Sequence, residues 1–306
     1  MNRPWWVTIL IYAILTVGSL VVIYPLLFMI LATFASPVEY FKSTFLPVPD
    51  ALDFRNYQVV FAATLGAYYT TIPRAMFITL TRAVWYVGTS LLAAVLVGYV
   101  FARLEFPLKR ILFVYLLSGM MVPGILTLVP IYVMLARWPL VGGNDIYGQG
   151  GHGFINEWPV LYIVGLVPVV SIFLMKQSYE MFPSDYEEAA RIDGAGMLRI
   201  IFQVYVPMLR PAITAVAVLD FIGIWNDYFA PLIFIGGNRN LQPLALAVQQ
   251  LMFTYTTQAA SLGVGGLPNF PVVFAGAVVM SIPPVAVYLY AQQYLVQGLM
   301  GVGIKG

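Results

Sequence analysis

Cysteine is absent from the sequence and histidine occurs once, at His152. The first absence excludes disulfides, thiol nucleophiles and Cys-ligated zinc or iron–sulfur sites. The second leaves too little material for a His-based metal site or a Ser-His-Asp triad. No G-x-x-x-x-G-K-[ST] loop occurs, so the chain is not expected to hydrolyse ATP, and no H-E-x-x-H motif points to a zinc protease. Charge is scarce as well. Asp, Glu, Lys and Arg make up 9% of the 306 residues, against about 25% in a soluble domain, whose surface must be wetted. A net charge of +2 without any Lys/Arg cluster offers nucleic acid no phosphate-tracking face.

What the sequence does have is apolar. Hydrophobic residues make up 61% of it, and the mean hydropathy is +0.87. Much of the outside of such a chain must face lipid. Crossing the hydrocarbon core takes about 20 residues of helix, and helices are expected because lipid offers the backbone no partners. Six segments have this character, at about 8–34, 76–102, 110–136, 158–181, 209–235 and 271–296. The apolar run from Val7 to Phe34 far exceeds the roughly 7–15 residues of a signal h-region, so it reads as a retained membrane helix. The expected fold is an all-α membrane protein of six transmembrane helices, in one domain over residues 1–306. With the N-terminus inside, Arg3, Arg103, Lys109, Arg110, Lys176, Arg191, Arg199, Arg210 and Lys305 lie inside, while Lys42, Arg55, Arg74, Arg137 and Arg239 lie outside. This asymmetry follows the positive-inside rule and gives an N-in, C-in topology.

Charge returns abruptly in the loop between the fourth and fifth spans, about residues 183–211, which holds Asp185, Glu187, Glu188 and Asp193 beside Arg191, Arg199 and Arg210. Ser184 and Glu187 have the spacing of a capping box, which starts a helix at about Asp185. Glu187 and Arg191 form an i,i+4 pair, and Gly194 is placed to end the helix. A second short helix is expected from about Met197 to Tyr205, stopped before Pro207. Two helices across a tight turn make a compact cytoplasmic knob whose small residues Ala189, Ala190, Gly194, Ala195 and Gly196 allow a partner's backbone to approach.

The order Glu188-Ala189-Ala190, Gly194 and Val204-x-Val206-Pro207 resembles the E-A-A---G---------I-x-L-P motif of ABC importer permeases, with Asp193-Gly194-Ala195 matching the D-G-A inside it. Val204 and Val206 depart conservatively from Ile and Leu. Further segments resemble the carbohydrate branch of that family. They are Ala102-Arg103-Leu104-Glu105-Phe106-Pro107, Met121-Val122-Pro123 with Pro130, Trp225-Asn226-Asp227-Tyr228 with Pro231-Leu232, and the tail Gly298–Gly306. Gln297 and Met300 stand where that branch's tail usually has Arg and Thr. The resemblance implies a non-catalytic permease of the cell inner membrane that pairs with a second, usually non-identical permease. Two ATP-binding subunits, which bind ATP and Mg, and an extracytoplasmic solute-binding protein complete the importer. Glu188, Ala189, Ala190, Arg191, Asp193 and Gly194 would form the surface that couples to an ATPase subunit. The external stretches 142–153 and 236–270 are candidates for contact with the binding protein, and His152 reads as a surface residue.

Inside the membrane, Asp220 and Asp227 lie seven apart and share a face of the fifth span. A central Asp costs roughly 2.5–3.5 kcal/mol on insertion scales, so each needs a cavity or a partner. Arg82 is the candidate partner for Asp220, and two readings stand side by side: a pair that locks two helices, or a pathway site. Trp225, Asn226, Asp227 and Tyr228 offer hydrogen bonds and ring faces to a sugar, although Trp and Tyr also anchor membrane interfaces. A permease for a non-sugar solute is the nearest alternative, against which the carbohydrate-type tail argues. A secondary transporter would need repeated spans and more embedded ionisable residues.

Overall fold

The computed structural model describes residues 4–43, 45–62, 64–65, 70–165, 167–258 and 267–302. Arg3, Lys305 and the side chains of the Gly298–Gly306 tail lie outside the described residues. In chain order the helices are α1 (Trp5–Ala32), α2 (Pro37–Lys42), α3 (Arg55–Ala62), α4 (Ile72–Arg103), α5 (Lys109–Met121), α6 (Gly124–Ala136) and α7 (Val160–Ile163). They continue as α8 (Val169–Glu180), α9 (Asp185–Ile192), α10 (Met197–Met208), α11 (Arg210–Trp225), α12 (Phe229–Ile235), α13 (Leu244–Met252) and α14 (Phe270–Val302). One two-stranded antiparallel ribbon, Thr64–Leu65 with Thr70–Thr71, interrupts the helical pattern.

Among the described residues, three helices are long and apolar enough to cross a membrane unaided: α1, α4 and the Phe270–Gln293 part of α14. The expected helix over 110–136 is instead two, α5 and α6, which bend by 100°. Val122 between them is extended at φ −83°, ψ 118°, the conformation that a following proline imposes. The expected helix over 209–235 likewise breaks after Trp225 and resumes at Phe229. The 158–181 segment divides into α7 and α8. Helix α10 does not stop before Pro207. It passes through wider i→i+5 turns over Ile200–Tyr205, where the Val206 N–H bonds Ile201 O, and runs on to Met208 before an 84° bend into α11. Proline lacks an N–H and crowds the carbonyl four residues back. Turns already opened ahead of Pro207 let the helix continue.

The chain forms two compact units, Met1–Arg74 with Ala247–Ile282, and Ala75–Leu246 with Pro283–Gly306. In the first, α1 is apolar on every side and only Ala32 of it is buried, the pattern of a helix whose surroundings are themselves apolar. Phe28 meets Tyr40 and Phe274 edge-on. A capping box between Ser36 and Glu39 starts α2, and buried Asn56 ties together the Thr33 and Ala35 carbonyls beyond the end of α1.

Among the described residues of the second unit, two apolar clusters stand out. One joins Leu135, Ile155, Val160, Leu161, Phe234 and Ile235, with Ile78 of α4 packed against it. The other joins Ala94, Val95 and Tyr99 of α4 to Ile172, Met175 and Tyr179 of α8 and to Ile200, Ile201 and Tyr205 of α10. Along α4, the stretch between these clusters carries Arg82 and Ser90, both buried. In the Gly-rich loop 137–157, buried Asn144 donates to the Ala136 and Trp138 carbonyls and accepts from Gly151 N. His152 is exposed there, near Glu157.

Helices α4 and α8 touch backbone to backbone at Gly98. A Cβ there would lie 3.0 Å from Met175 Cβ and 3.1 Å from Lys176 N, tighter than side chains normally pack. Gly98→Val should therefore force the two helices apart and destabilise the protein by about 1–3 kcal/mol. The measurement is the melting temperature of the purified complex. An unchanged value would mean that α4 and α8 do not meet this closely.

Candidate functional site

The charged loop folds as the knob its sequence suggests, on a different footing. Helix α9 ends at Gly194 in the left-handed conformation, φ +80°. The Gly194 N–H bonds Arg191 O and the Ala195 N–H bonds Ala190 O at 2.9 Å, the Schellman closure that favours glycine. The expected capping box is absent. Ser184 has helical backbone angles and makes no side-chain cap, because the Glu187 side chain that would complete the box points inward.

Glu187 is the residue that sequence reasoning did not single out as a site. It is 6% exposed and accepts hydrogen bonds from Tyr99 Oη (2.7 Å), Tyr205 Oη (3.0 Å) and Arg191 Nη2 (2.7 Å). The expected Glu187–Arg191 pair is therefore present. Arg103 Nε stands 3.9 Å away, while its Nη2 donates to the Tyr179 and Phe182 carbonyls at the end of α8, and its guanidinium lies over the Tyr205 ring. Tyr179 Oη donates in turn to Val95 O of α4. One carboxylate thus ties α9 to α4 and α10, and Arg103 carries the tie to α8. Burial pushes the Glu187 carboxyl upward, but the bonds from Tyr99, Arg191 and Tyr205 outweigh it and hold it below the usual 4.5. Beyond the i,i+4 spacing of Glu187 and Arg191, the sequence signal for this network was the lone tyrosines at 99 and 205 in apolar runs.

Turned the other way, Glu188, Ala189, Arg191, Asp193 and Gly194 are exposed, and Ala190 is half-buried. Beside them Tyr186 (53%), Ile192 (86%), Met197 (46%) and Leu198 (58%) are exposed apolar side chains. The knob therefore presents small and apolar residues with a free carboxylate, on a mount fixed from beneath.

The second polar constellation lies around α4 and α11. Arg82 is 2% exposed. The expected Arg82–Asp220 pair is not formed: Arg82 Nη2 bonds Asp227 Oδ2 at 2.5 Å, and its Nε bonds Leu161 O at 3.1 Å. Asp220 instead accepts from Ser90 Oγ (2.5 Å) on Oδ2 and Ser171 Oγ (2.8 Å) on Oδ1. The seven-residue spacing of the two aspartates carries past the end of α11 at Trp225, so Asp227 reaches Arg82 from the break, where its Oδ1 also accepts from Ala230 N of α12. A cavity of about 460 Å³ opens here, lined by Arg82, Tyr86, Asp220, Asn226, Asp227 and Tyr228 among others. Trp225 does not line it; the indole is buried and stacks on Phe221. Asn226 Nδ2 bonds Ile222 O, one turn back. Ser90 and Ser171 escaped sequence reasoning because a lone hydroxyl in an apolar run does not name its partner.

The Glu187 clamp makes a prediction with a sign. A carboxyl held below its ordinary value stabilises the fold fully above the ordinary carboxylate range and ceases to do so as pH falls through the depressed value. Glu187→Gln should destabilise the purified complex near pH 7 by about 2 kcal/mol, the worth of one or two hydrogen bonds to a charged group. The gap from wild type should begin to narrow as the pH falls below the ordinary carboxylate value of 4.5 and close only below the depressed value, where the wild-type carboxyl is neutral in the folded state too. Melting curves across pH check both statements, and a gap independent of pH would count against an ionised Glu187.

Residues 90–301 match the family described as binding-protein-dependent transport system inner membrane component. The chain is 30% identical over 290 residues to the diacetylchitobiose uptake system permease protein NgcG of Streptomyces coelicolor, spanning 92% of this chain and 84% of that one. It is 26% identical to the arabinooligosaccharides transport system permease protein AraQ of Halalkalibacterium halodurans, over 96% of each chain. Among solved structures, a bacterial ABC transporter involved in the import of the acidic polysaccharide alginate superposes with a TM-score of 0.75 at 22% identity, over 96% of this chain and 98% of that one. That likeness is one of fold. With the family pattern covering well over half of its length, both membrane-length helices and the charged knob in place, the chain belongs to the inner membrane components of binding-protein-dependent transport systems.

Proposed function

We propose that this multi-pass inner membrane protein is one of two permease subunits of an ATP-driven importer for a sugar or sugar-like solute, and that the α9–α10 knob docks an ATPase subunit. The observation that carries the proposal is the two-sided build of the knob. Glu187 fixes it to α4 and α10 from below, while Glu188 and the apolar side chains of Ile192 and Leu198 stand free above. An apolar surface with a rim charge suits a protein partner, and a rigid mount passes that partner's movement to the membrane helices.

In this reading the chain crosses the membrane six times, at α1, α4, the bent pair α5–α6, α7–α8, the broken pair α11–α12 and α14, with both termini inside. Loop 183–211 then lies on the side where basic residues gather. Two ATP-binding subunits hold ATP and Mg, and an extracytoplasmic binding protein delivers the solute; this chain supplies no catalytic residue. The carbohydrate relatives named above support the solute class. Glu188 makes the polar docking contact, Ala189 and Ala190 allow close approach, Arg191 and Asp193 flank it, and Gly194 sets the turn. Asp220, Asn226, Asp227 and Tyr228 face the solute's path, with Trp225 supporting them from behind.

Two substitutions test the docking role. Glu188→Arg should lower both uptake and binding-protein-stimulated ATPase activity of the assembled complex by more than about tenfold, the scale of losing one charged interface contact. Gly194→Val places a β-branched residue at φ +80°, where glycine alone is comfortable, and should weaken co-purification of the ATPase subunit. Full uptake and full co-purification in both variants would remove the knob as the docking surface.

A further inference from the structure

The polar wall of the cavity does not balance its own charge. Arg82 is committed to Asp227. Asp220 is held by two hydroxyls, from Ser90 and Ser171, and the ion pairs among the described residues give it no cationic partner. Hydroxyl donors stabilise a carboxylate without neutralising it. One guanidinium therefore faces two carboxylates, in a pocket whose other walls include Val164, Leu219, Ile224 and Phe229. Apolar walls lower the local dielectric and lengthen the reach of the uncancelled charge.

A second feature indicates what the cavity accepts. Arg82 lines it, is 98% buried by its 2% exposure, and its Nη1 has no hydrogen-bond partner. A buried donor left unmade is costly, so an acceptor oxygen that reached this guanidinium from the cavity would be favoured. An anionic solute would supply that oxygen but bring a second negative charge beside Asp220. A hydroxyl supplies it without charge and can donate to a carboxylate in return. Tyr86 and Tyr228 add ring faces for an apolar sugar face.

We infer that Asp220 makes this cavity a charge filter, which admits neutral or amino-bearing polyhydroxyl solutes and rejects those carrying carboxylate or phosphate. The inference rests on the proposal that the cavity lies on the solute's path, and it specifies the solute by charge. Ser90 and Ser171 are positioning residues that hold the carboxylate at the cavity wall. The filter acts after any selection by the binding protein.

The absence of cysteine from the chain provides the test. Gly223 lines the cavity, and a Cβ built on it meets no atom within 4 Å, so Gly223→Cys introduces this chain's one thiol without a clash. The complete importer carrying it, in proteoliposomes, is treated with three methanethiosulfonates of similar size bearing a trimethylammonium, a hydroxyl or a sulfonate group. Modification of this chain is followed by intact mass, at rest and during ATP turnover. Normalised to a small free thiol, the cationic reagent should react at least about tenfold faster than the anionic one, with the neutral reagent between them. Adding Asp220→Asn should bring the ratio close to one. Equal rates, or a faster anionic reagent, in the Gly223→Cys importer would overturn the charge filter while leaving the path intact. No reaction with any reagent in either state would overturn the path itself, and the filter with it. The ratio in the Gly223→Cys importer decides the sign even if the double variant does not assemble.

Discussion

Taking a carboxylate out of water costs several kcal/mol unless hydrogen bonds replace the lost hydration. At Glu187 that replacement comes from three elements at once: Tyr99 of α4, Tyr205 of α10 and Arg191 of α9 itself. Because each donor belongs to a different part of the chain, the carboxylate is satisfied only when all of them are in place. The knob therefore cannot swing independently of α4 without stranding a buried charge. Arg103 extends the dependence to α8 by holding the Tyr179 and Phe182 carbonyls at the end of that helix. The apolar cluster around Tyr99, Tyr179 and Tyr205 keeps water from competing for these bonds.

The same logic, with a different outcome, governs the polar layer further along α4. Arg82 and Asp227 satisfy each other, and Asp220 is satisfied by hydroxyls rather than by a cation. Helix α4 thus carries two charged assemblies separated by apolar packing. One is sealed beneath an exposed knob and the other opens onto a cavity. A transport protein that must link events on the two sides of a membrane has reason to place both on one continuous helix, and α4 is unbroken over 32 residues.

The membrane class, the helical architecture and the knob were legible in the sequence because each rests on local pattern: apolar run length, the i,i+4 spacing of Glu187 and Arg191, and the glycine that ends α9. Breaks within the apolar segments were less legible. Pro123 and the Asn226–Tyr228 stretch carry signals that an unbroken hydropathy run conceals. The opened turns before Pro207 reverse a rule that holds for ordinary helices. The pairing of Arg82 was misread because seven-residue periodicity assumes a helix that in fact ends at Trp225. Glu187 was read as a cap from its distance to Ser184, whereas long-range bonds to Tyr99 and Tyr205 decide its direction. Contacts between distant segments leave no trace in the spacing of one sequence.

Helix α4 has a mechanical consequence. Tyr99 and Arg82 are 17 residues apart, about 26 Å along a helix that rises 1.5 Å per residue. Held at the Glu187 end, α4 is a lever arm: each degree of tilt there displaces Arg82 by roughly 0.45 Å, from the same rise per residue. A tilt of only a few degrees relative to Asp227 would exceed the tolerance of the Arg82–Asp227 bond, so α4 could keep that pair only if Asp227 moved with it.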